Sequence, residues 1–423
     1  MKVSDSRWRT SLTISVPYPA VLAVGLAISI YGQYTWQYFD PALPTIRAQA
    51  PGIWLAGLAV IAAGLLWLLT PWRRPQGLWV NVFLAIALTG WVARLSVASF
   101  RGDAYDLTVW LFPVVMTMFW LKFPSAATLR VSLLALGWAG SIILVWTRAS
   151  ELAGLVPMAP VSPDLVSYEI RNYWLPLAGI LGPEGRWPGP MGGTAFTGAL
   201  GALLLVLGVV MKSKFSWVFG FVGVLALGLT SSRGAIAGAG VGVAVAILFG
   251  HSRFLRTWSF RKRGGVAISA VAVLMVLIIQ RNLTLTGRTS FWLDFLELWR
   301  TSPILGVGQS GYMEGTQATA ISGSAHSLYI DELARNGLLG LALLVSGLAV
   351  ALFMAWKAAQ SESSGPLALI MTVVVIGIVN TPFGWLSPSL LWMFFFLGAL
   401  WAASLSDQIE TEKSEVQIQS TYR

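Results

Sequence analysis

Apolar runs about twenty residues long recur along almost the whole sequence, and nothing else in it constrains the fold as strongly. They fall near 15–35, 52–71, 76–99, 106–122, 127–147, 189–211, 215–231, 233–250, 264–281, 336–356, 365–384 and 387–405. A helix needs about 20 apolar residues to cross the hydrocarbon core of a bilayer. The strict alternation of outer-membrane barrel strands is absent from these runs. They predict an all-α polytopic membrane protein of about twelve transmembrane helices. Composition agrees. The chain is 56% hydrophobic and 11% charged, with a mean hydropathy of +0.70, whereas a soluble domain carries roughly a quarter charged residues.

Orientation follows from Lys and Arg in the short loops. With Met1–Arg9 in the cytoplasm and the runs alternating, that side collects 17 of the 28 basic residues and 6 of the 18 acidic ones. The balance is +11 inside and −1 outside, and the basic loop His251–Arg263 anchors it. The basic pI is then a matter of topology, and no nucleic-acid partner is called for. Both termini are expected in the cytoplasm. The basic start followed by an apolar run looks like a signal sequence, but no small-residue cleavage site follows, so an uncleaved first helix is expected. With no Cys, disulfide and thiol chemistry are excluded. Many of the 21 Trp, including Trp36, Trp72, Trp146, Trp187 and Trp385, sit near helix ends, where indole suits the headgroup layer.

Two outer segments are long. The first, about Arg148–Gly193, is rich in Pro and Gly and carries Tyr168, Arg171, Tyr173, Trp174, Glu184, Arg186 and Trp187. The second, about Arg281–Arg335, contains Phe291–Arg300, whose Phe291, Phe295 and Leu298 share a helical face flanked by Trp292 and Trp299. Thr289 or Ser290 is the expected cap, with Pro303, Gly306 and Gly308 ending an amphipathic helix on the bundle. The chain thus divides into transmembrane helices over 1–147, an outer loop 148–193, helices over 194–281, a large outer loop 282–335, helices over 336–405 and a polar, flexible cytoplasmic tail 406–423.

The outer face gathers Arg186, Arg233, Arg288 and His326 from distant parts of the sequence. Guanidinium groups match phosphate oxygens in bidentate fashion and stay charged at any working pH. Such a set can hold a diphosphate and stabilise the charge it gains on leaving. The competing reading is snorkelling, or pairing with outer acids such as Asp294, Glu297 and Asp331. His326 is one of two histidines; it sits just before a helix, where imidazole can take a proton from a sugar hydroxyl, or where it can simply be structural. A metal site is not expected, since the outer face offers no second His and no Cys, and the first outer loops hold no paired carboxylates of the DxD kind; Asp103 and Asp106 are the closest pair there, at a spacing that leaves Mg²⁺ open. No cofactor is expected either.

An ordered set of short motifs carries a resemblance. Thr230-Ser231-Ser232-Arg233-Gly234, Thr286-Gly287-Arg288-Thr289 with Trp292, Ser302-Pro303-Ile304-Leu305-Gly306-Val307-Gly308, His326-Ser327 and Asn336-Gly337-Leu338-Leu339-Gly340 follow one another over roughly 110 residues. In this order and topology the chain resembles the O-antigen ligase / O-antigen polymerase superfamily. The resemblance implies a metal-independent, inverting glycosyltransferase of the GT-C type in the bacterial inner membrane. It would take a glycan from undecaprenyl diphosphate at the periplasmic face, the acceptor being lipid A-core in ligases and another lipid-linked repeat in polymerases. Carried over, His326 becomes the base or acceptor-orienting group. Arg288 and Arg186 become diphosphate ligands, and Arg233 a structural or phosphate-contacting residue. Trp187, Tyr173 and Tyr329 become sugar or acceptor contacts. Two departures stand out. Pro190-Met191-Gly192-Gly193-Thr194 replaces the usual Asn-containing turn after Arg186. Arg335 replaces an acid, leaving it either to join the phosphate site or to pair with Asp331 at i, i+4. The ligase is favoured over the polymerase. A transporter or lipid-linked glycan flippase is the rival of another class, against which stand the lack of an inverted repeat and the few mid-helix charges, Arg94 being the clearest.

Overall fold

The computed structural model describes residues 18–25, 58–70, 77–101, 107–153, 187, 189, 194–211, 213–230, 232–251, 288–318, 325–360, 363–380 and 390–421. Among these residues the chain is helix and connecting turn, without a strand. In chain order the helices are α1 (residues 18–25), α2 (Leu58–Leu69), α3 (Leu78–Arg101), α4 (Leu107–Leu121), α5 (Ala126–Leu152), α6 (Thr194–Val210) and α7 (Ser216–Thr230). They continue as α8 (Arg233–Ala246), α9 (Arg288–Arg300), α10 (Gly308–Ala318), α11 (Leu328–Gln360), α12 (Gly365–Val379) and α13 (Leu390–Thr421). Among the described residues three stretches, Ala126–Leu152, Arg233–Gly250 and Leu328–Gln360, are long and apolar enough to cross a membrane, and shorter apolar helices accompany them. Helices α1 to α8 and α11 to α13 overlap apolar runs, whereas α9 and α10 fall in the expected outer loop 282–335; the run at 264–281 lies outside the described residues.

The packing is that of a protein embedded in lipid. Leu58, Ile61, Leu65 and Leu68 form an exposed stripe at helical spacing on α2, and Val131, Trp138, Ile142 and Val145 form another on α5. Water would charge heavily for such stripes, while acyl chains do not. The centre is α13, where every residue from Leu391 to Ser404 is buried, as a helix apolar on all sides requires. Its Phe396 stacks on Phe83 at 6.0 Å and meets Phe119 edge-on at 5.3 Å.

Small residues let backbones approach where no hydrophobic drive between helices is available. A Cβ on Gly208 of α6 would lie 2.5 Å from the Gly220 nitrogen of α7, and one on Gly223 would lie 2.5 Å from the Leu205 nitrogen. Between α8 and α12 the close pairs are Gly238 with Ile376 and Gly242 with Thr372; beyond them Gly250, in the π-helical continuation of α8, meets Ser364. As residue numbers fall on one strand of this sequence of pairs they rise on the other, so the helices are antiparallel. One more turn brings Gly234, beside Arg233, opposite Asn380 at the end of α12.

Several boundaries differ from the sequence reading; α11 starts at Leu328, inside the outer loop expected to end at Arg335. Helix α5 continues through Leu152, four residues past the expected start of the first outer loop. Beyond Ser406, α13 runs on as helix to Thr421, where a flexible tail is the sequence expectation. The segment has no Gly or Pro and is rich in Glu and Gln; extending a helix that already exists avoids the cost of nucleation.

Candidate active site

The late-loop motifs build one compact structure, and a break in α11 is its starting point. Gly337 has φ 66° and ψ −163°, conformations open to glycine alone, so α11 splits there into a short leading helix and a long apolar one. The break leaves backbone groups unsatisfied, and the Pro303–Val307 turn meets them. The Leu338 and Leu339 amides donate to the Pro303 and Ile304 carbonyls at 2.9 and 3.1 Å, and the Val307 amide donates to the Ala334 carbonyl at 2.9 Å. These backbones lie so close that a Cβ on Gly337 would fall 2.3 Å from the Ile304 oxygen. Gly306, also at φ 66°, would meet the Arg335 carbonyl at the same distance. Both glycine motifs are thus one clamp seen from its two halves.

Above the clamp a small core forms from Phe295, Tyr312, Ala325 and Ala334, with Trp292, Leu298, Val307 and Ile330 packed around it. Helix α9 supplies Phe295 and Leu298, the apolar face expected of it. It begins at Arg288, so Thr289 and Ser290 lie inside its first turn and neither is the cap. The Trp292 indole donates to the Ala325 carbonyl at 2.9 Å, tying α9 to the residue before His326. Arg288 opens α9 four residues before Trp292, about 6 Å along the axis; the placement of its side chain lies outside the described residues.

His326 is half-buried and has φ 53°, the only positive φ on a non-glycine among the described residues. Such a conformation costs about 1–2 kcal/mol and needs support from its surroundings. That support is visible on both sides. The Ala325 amide donates to Asp331 Oδ1 at 2.9 Å, and the Leu328 amide donates to the Asn380 carbonyl at 3.2 Å. Asp331, 3% exposed, also accepts the Tyr312 hydroxyl. Burial, with the Asp331 carboxylate adding to it, pushes that hydroxyl well above the usual tyrosine range, so Tyr312 is a neutral donor. The Arg335 guanidinium lies 4.0 Å from the centre of the Tyr312 ring, and its buried Nε has no hydrogen-bond partner. Asp331 and Arg335 are therefore linked through Tyr312. Glu332, one turn before Asn336, accepts its side-chain amide at 2.6 Å.

Of the remaining candidates, Arg233 is exposed at the first position of α8, level with Asn380 by the α8–α12 register. Arg186 and Tyr173 lie outside the described residues. Trp187 is 6% exposed; its backbone amide donates to Leu229 at 3.0 Å and its indole to Glu151 at 2.8 Å. Glu151 in turn pairs with Arg148 at 3.0 Å. Trp187 thus pins the end of the first long outer segment to α5 and α7, and its packed ring leaves no open face for a sugar. Tyr329 is half-buried against α12, its hydroxyl donating to the Val374 carbonyl at 3.3 Å. Asn380 is 1% exposed, with both side-chain polar atoms lacking a partner. Among the described residues no three His, Asp or Glu side chains converge.

Tyr312 and Asn380 escape sequence reasoning. Their partners lie 19 and about 50 residues away, and no local pattern marks either.

Residues 218–345 match the family model described as O-Antigen ligase, a span holding Arg233, Arg288, His326 and Arg335 but ending short of Asn380 and starting beyond Arg186. A curated relative is the exopolysaccharide production protein ExoQ of Rhizobium meliloti (strain 1021), 29% identical over 210 residues that cover 45% of this chain and 44% of that protein. The chain therefore spans less than half the length of this relative. Together the two similarities support the O-antigen ligase/polymerase superfamily.

Proposed function

We propose that this membrane-embedded chain, similar to the O-antigen ligase/polymerase superfamily over residues 218–345, is a GT-C-type glycosyltransferase of the bacterial inner membrane. It takes a glycan from undecaprenyl diphosphate and joins it to lipid A-core at the periplasmic face, with inversion and without a metal. The observation that carries this reading is the His326 loop. His326 is half-buried on a strained backbone, and its neighbours Ala325 and Leu328 are tied to α9, to α12 and, through Asp331, to α10; such a fixed setting supports a positioned base.

In the proposed reaction the acceptor hydroxyl oxygen attacks the anomeric carbon of the donor. Its proton passes to the His326 imidazole. The bond from the anomeric carbon to the phosphate oxygen breaks, and the polyprenyl diphosphate leaves with the electron pair. Arg288, at the start of α9, and Arg186, in the first outer segment, grip the diphosphate and stabilise its growing charge. Arg233, exposed at the first position of α8, adds a further guanidinium for the phosphates. Arg335 takes a supporting role, because its guanidinium is stacked on Tyr312.

A second reading keeps the donor chemistry and changes the acceptor to another lipid-linked glycan. Similarity to an exopolysaccharide production protein favours it. Reconstitution with undecaprenyl-diphosphate glycan, with and without lipid A-core and with EDTA throughout, separates the readings. Product on lipid A-core supports the ligase, and lengthened carrier-linked glycan without lipid A-core supports the polymerase. Glycan crossing the bilayer with no new glycosidic bond would overturn both in favour of a flippase.

A further inference from the structure

We propose that Asp331 is the positioning residue of His326, holding the loop in its left-handed conformation through Ala325 and being held in turn by Tyr312 and Arg335. The proposal rests on the transfer role assigned to His326 above and adds how that group is set in place.

The geometry is specific. One carboxylate oxygen of Asp331 takes two donors from different elements, the Ala325 amide at 2.9 Å and the Tyr312 hydroxyl. The first donor belongs to the residue joined directly to His326, so the carboxylate fixes the chain one peptide ahead of His326, and the Trp292 indole holds the Ala325 carbonyl of the next. The second comes from α10, which otherwise shares no covalent neighbourhood with the loop. Tyr312 is 0% exposed and cannot be there to meet substrate. Its ring stacks on Phe295 of α9 at 5.2 Å and carries the Arg335 guanidinium on a face. A buried carboxylate is tolerated only when hydrogen-bonded and balanced; here two donors and a nearby guanidinium do both. On the far side the Leu328 amide is fixed to Asn380. His326 is therefore clamped between two anchors three residues apart, each seated on a different helix. The left-handed φ at His326 is the conformation that these two anchors impose.

The substrate does not enter this argument, so the positioning can be read separately from turnover. The chain has two histidines. His251→Gln leaves His326 as the sole imidazole, visible as a single signal when the protein is labelled with carbon-13 histidine. In that background Asp331→Ala removes the acceptor, Asp331→Asn keeps an acceptor oxygen, and Tyr312→Phe removes one donor while keeping the ring. We expect the His326 signal to move or split in Asp331→Ala, to shift less in Tyr312→Phe, and to stay near the wild-type position in Asp331→Asn. In the reconstituted transfer assay kcat should fall about a hundredfold for Asp331→Ala, the scale of a misplaced catalytic group, with donor KM unchanged. Asp331→Asn should restore most of it. An unmoved signal in Asp331→Ala, or a donor KM that rises in step with the loss of kcat, overturns the proposal. If Asp331→Ala does not fold, Tyr312→Phe carries the same test. Failure of the wider reading looks different: His326→Ala would keep full activity while the His326 signal still responded to Asp331.

Discussion

Replacing Gly337 by Ala should open the late-loop clamp while leaving the transmembrane core in place. The new methyl would lie 2.3 Å from the Ile304 oxygen and 2.5 Å from the Gly306 nitrogen, both backbone atoms with no side-chain freedom to yield. The φ of 66° with ψ −163° adds a strain of about 1–3 kcal/mol for any residue with a Cβ. Relieving the overlap moves the turn away from α11, and the bonds from Leu338, Leu339 and Val307 go with it. At about 0.5–1.5 kcal/mol each, they bring the local cost to about 2.5–7.5 kcal/mol. The amides of Val307, Leu338 and Leu339 report this directly by hydrogen exchange, since each protects itself through a bond across the clamp. A cost of 3 kcal/mol corresponds to exchange about a hundredfold faster at these three sites. Amides in the buried stretch of α13 should be unchanged. Unaltered protection at Val307, Leu338 and Leu339 in Gly337→Ala would refute the reasoning, because it would mean that the backbones are not in contact.

Other outcomes follow from the same geometry. Gly242→Ala should lower the thermal midpoint in detergent, since its methyl would fall 2.0 Å from Thr372 Oγ1, whereas Gly240→Ala, with open space around it, should be neutral or stabilising by up to about 1 kcal/mol. Glu151→Ala strips the Trp187 indole and Arg148 of their shared acceptor and should cost about 3 kcal/mol, seen as a lower midpoint with altered tryptophan emission. Lys122 donates to the last carbonyls of α2, Trp67 at 2.7 Å and Leu68 at 3.1 Å; Lys122→Met should destabilise by about 1.5–3 kcal/mol in the same assay. Because the folded protein keeps the Tyr312 hydroxyl protonated above the ordinary value of 10.0, its contribution is fully present below that pH and is lost as the pH rises further. Tyr312→Phe should accordingly show a shallower loss of stability in strong alkali than the wild type.

Most of the helical framework was legible because lipid imposes one simple rule, an apolar run of sufficient length with its backbone bonds made internally. The positions of α5 through α8, and of α11 through α13, follow it. The α13 extension did not, since a polar helix propagated from a buried one carries no apolar signature. At the site, His326, Gly306 and Gly337 could be singled out as short motifs. The partnership of the two glycines could not, because each looks like an ordinary turn residue until the two backbones are seen touching. Arg335 shows the same limit from another side. Its i, i+4 spacing from Asp331 is correct, yet the intervening group is Tyr312 on α10, which no helical spacing reveals. The residue type of Trp187 suggests a sugar contact, but its role here comes from the neighbours Glu151 and Leu229, which no local pattern reveals.

The central claim is that His326 takes the acceptor's proton while a glycan leaves its polyprenyl diphosphate carrier. The most direct measurement is single-turnover transfer in proteoliposomes, comparing wild type with His326→Ala and His326→Gln at saturating donor. The account predicts transfer slowed by about 10²–10⁴-fold in both variants, with donor binding retained. Transfer at the wild-type rate by either variant would contradict it.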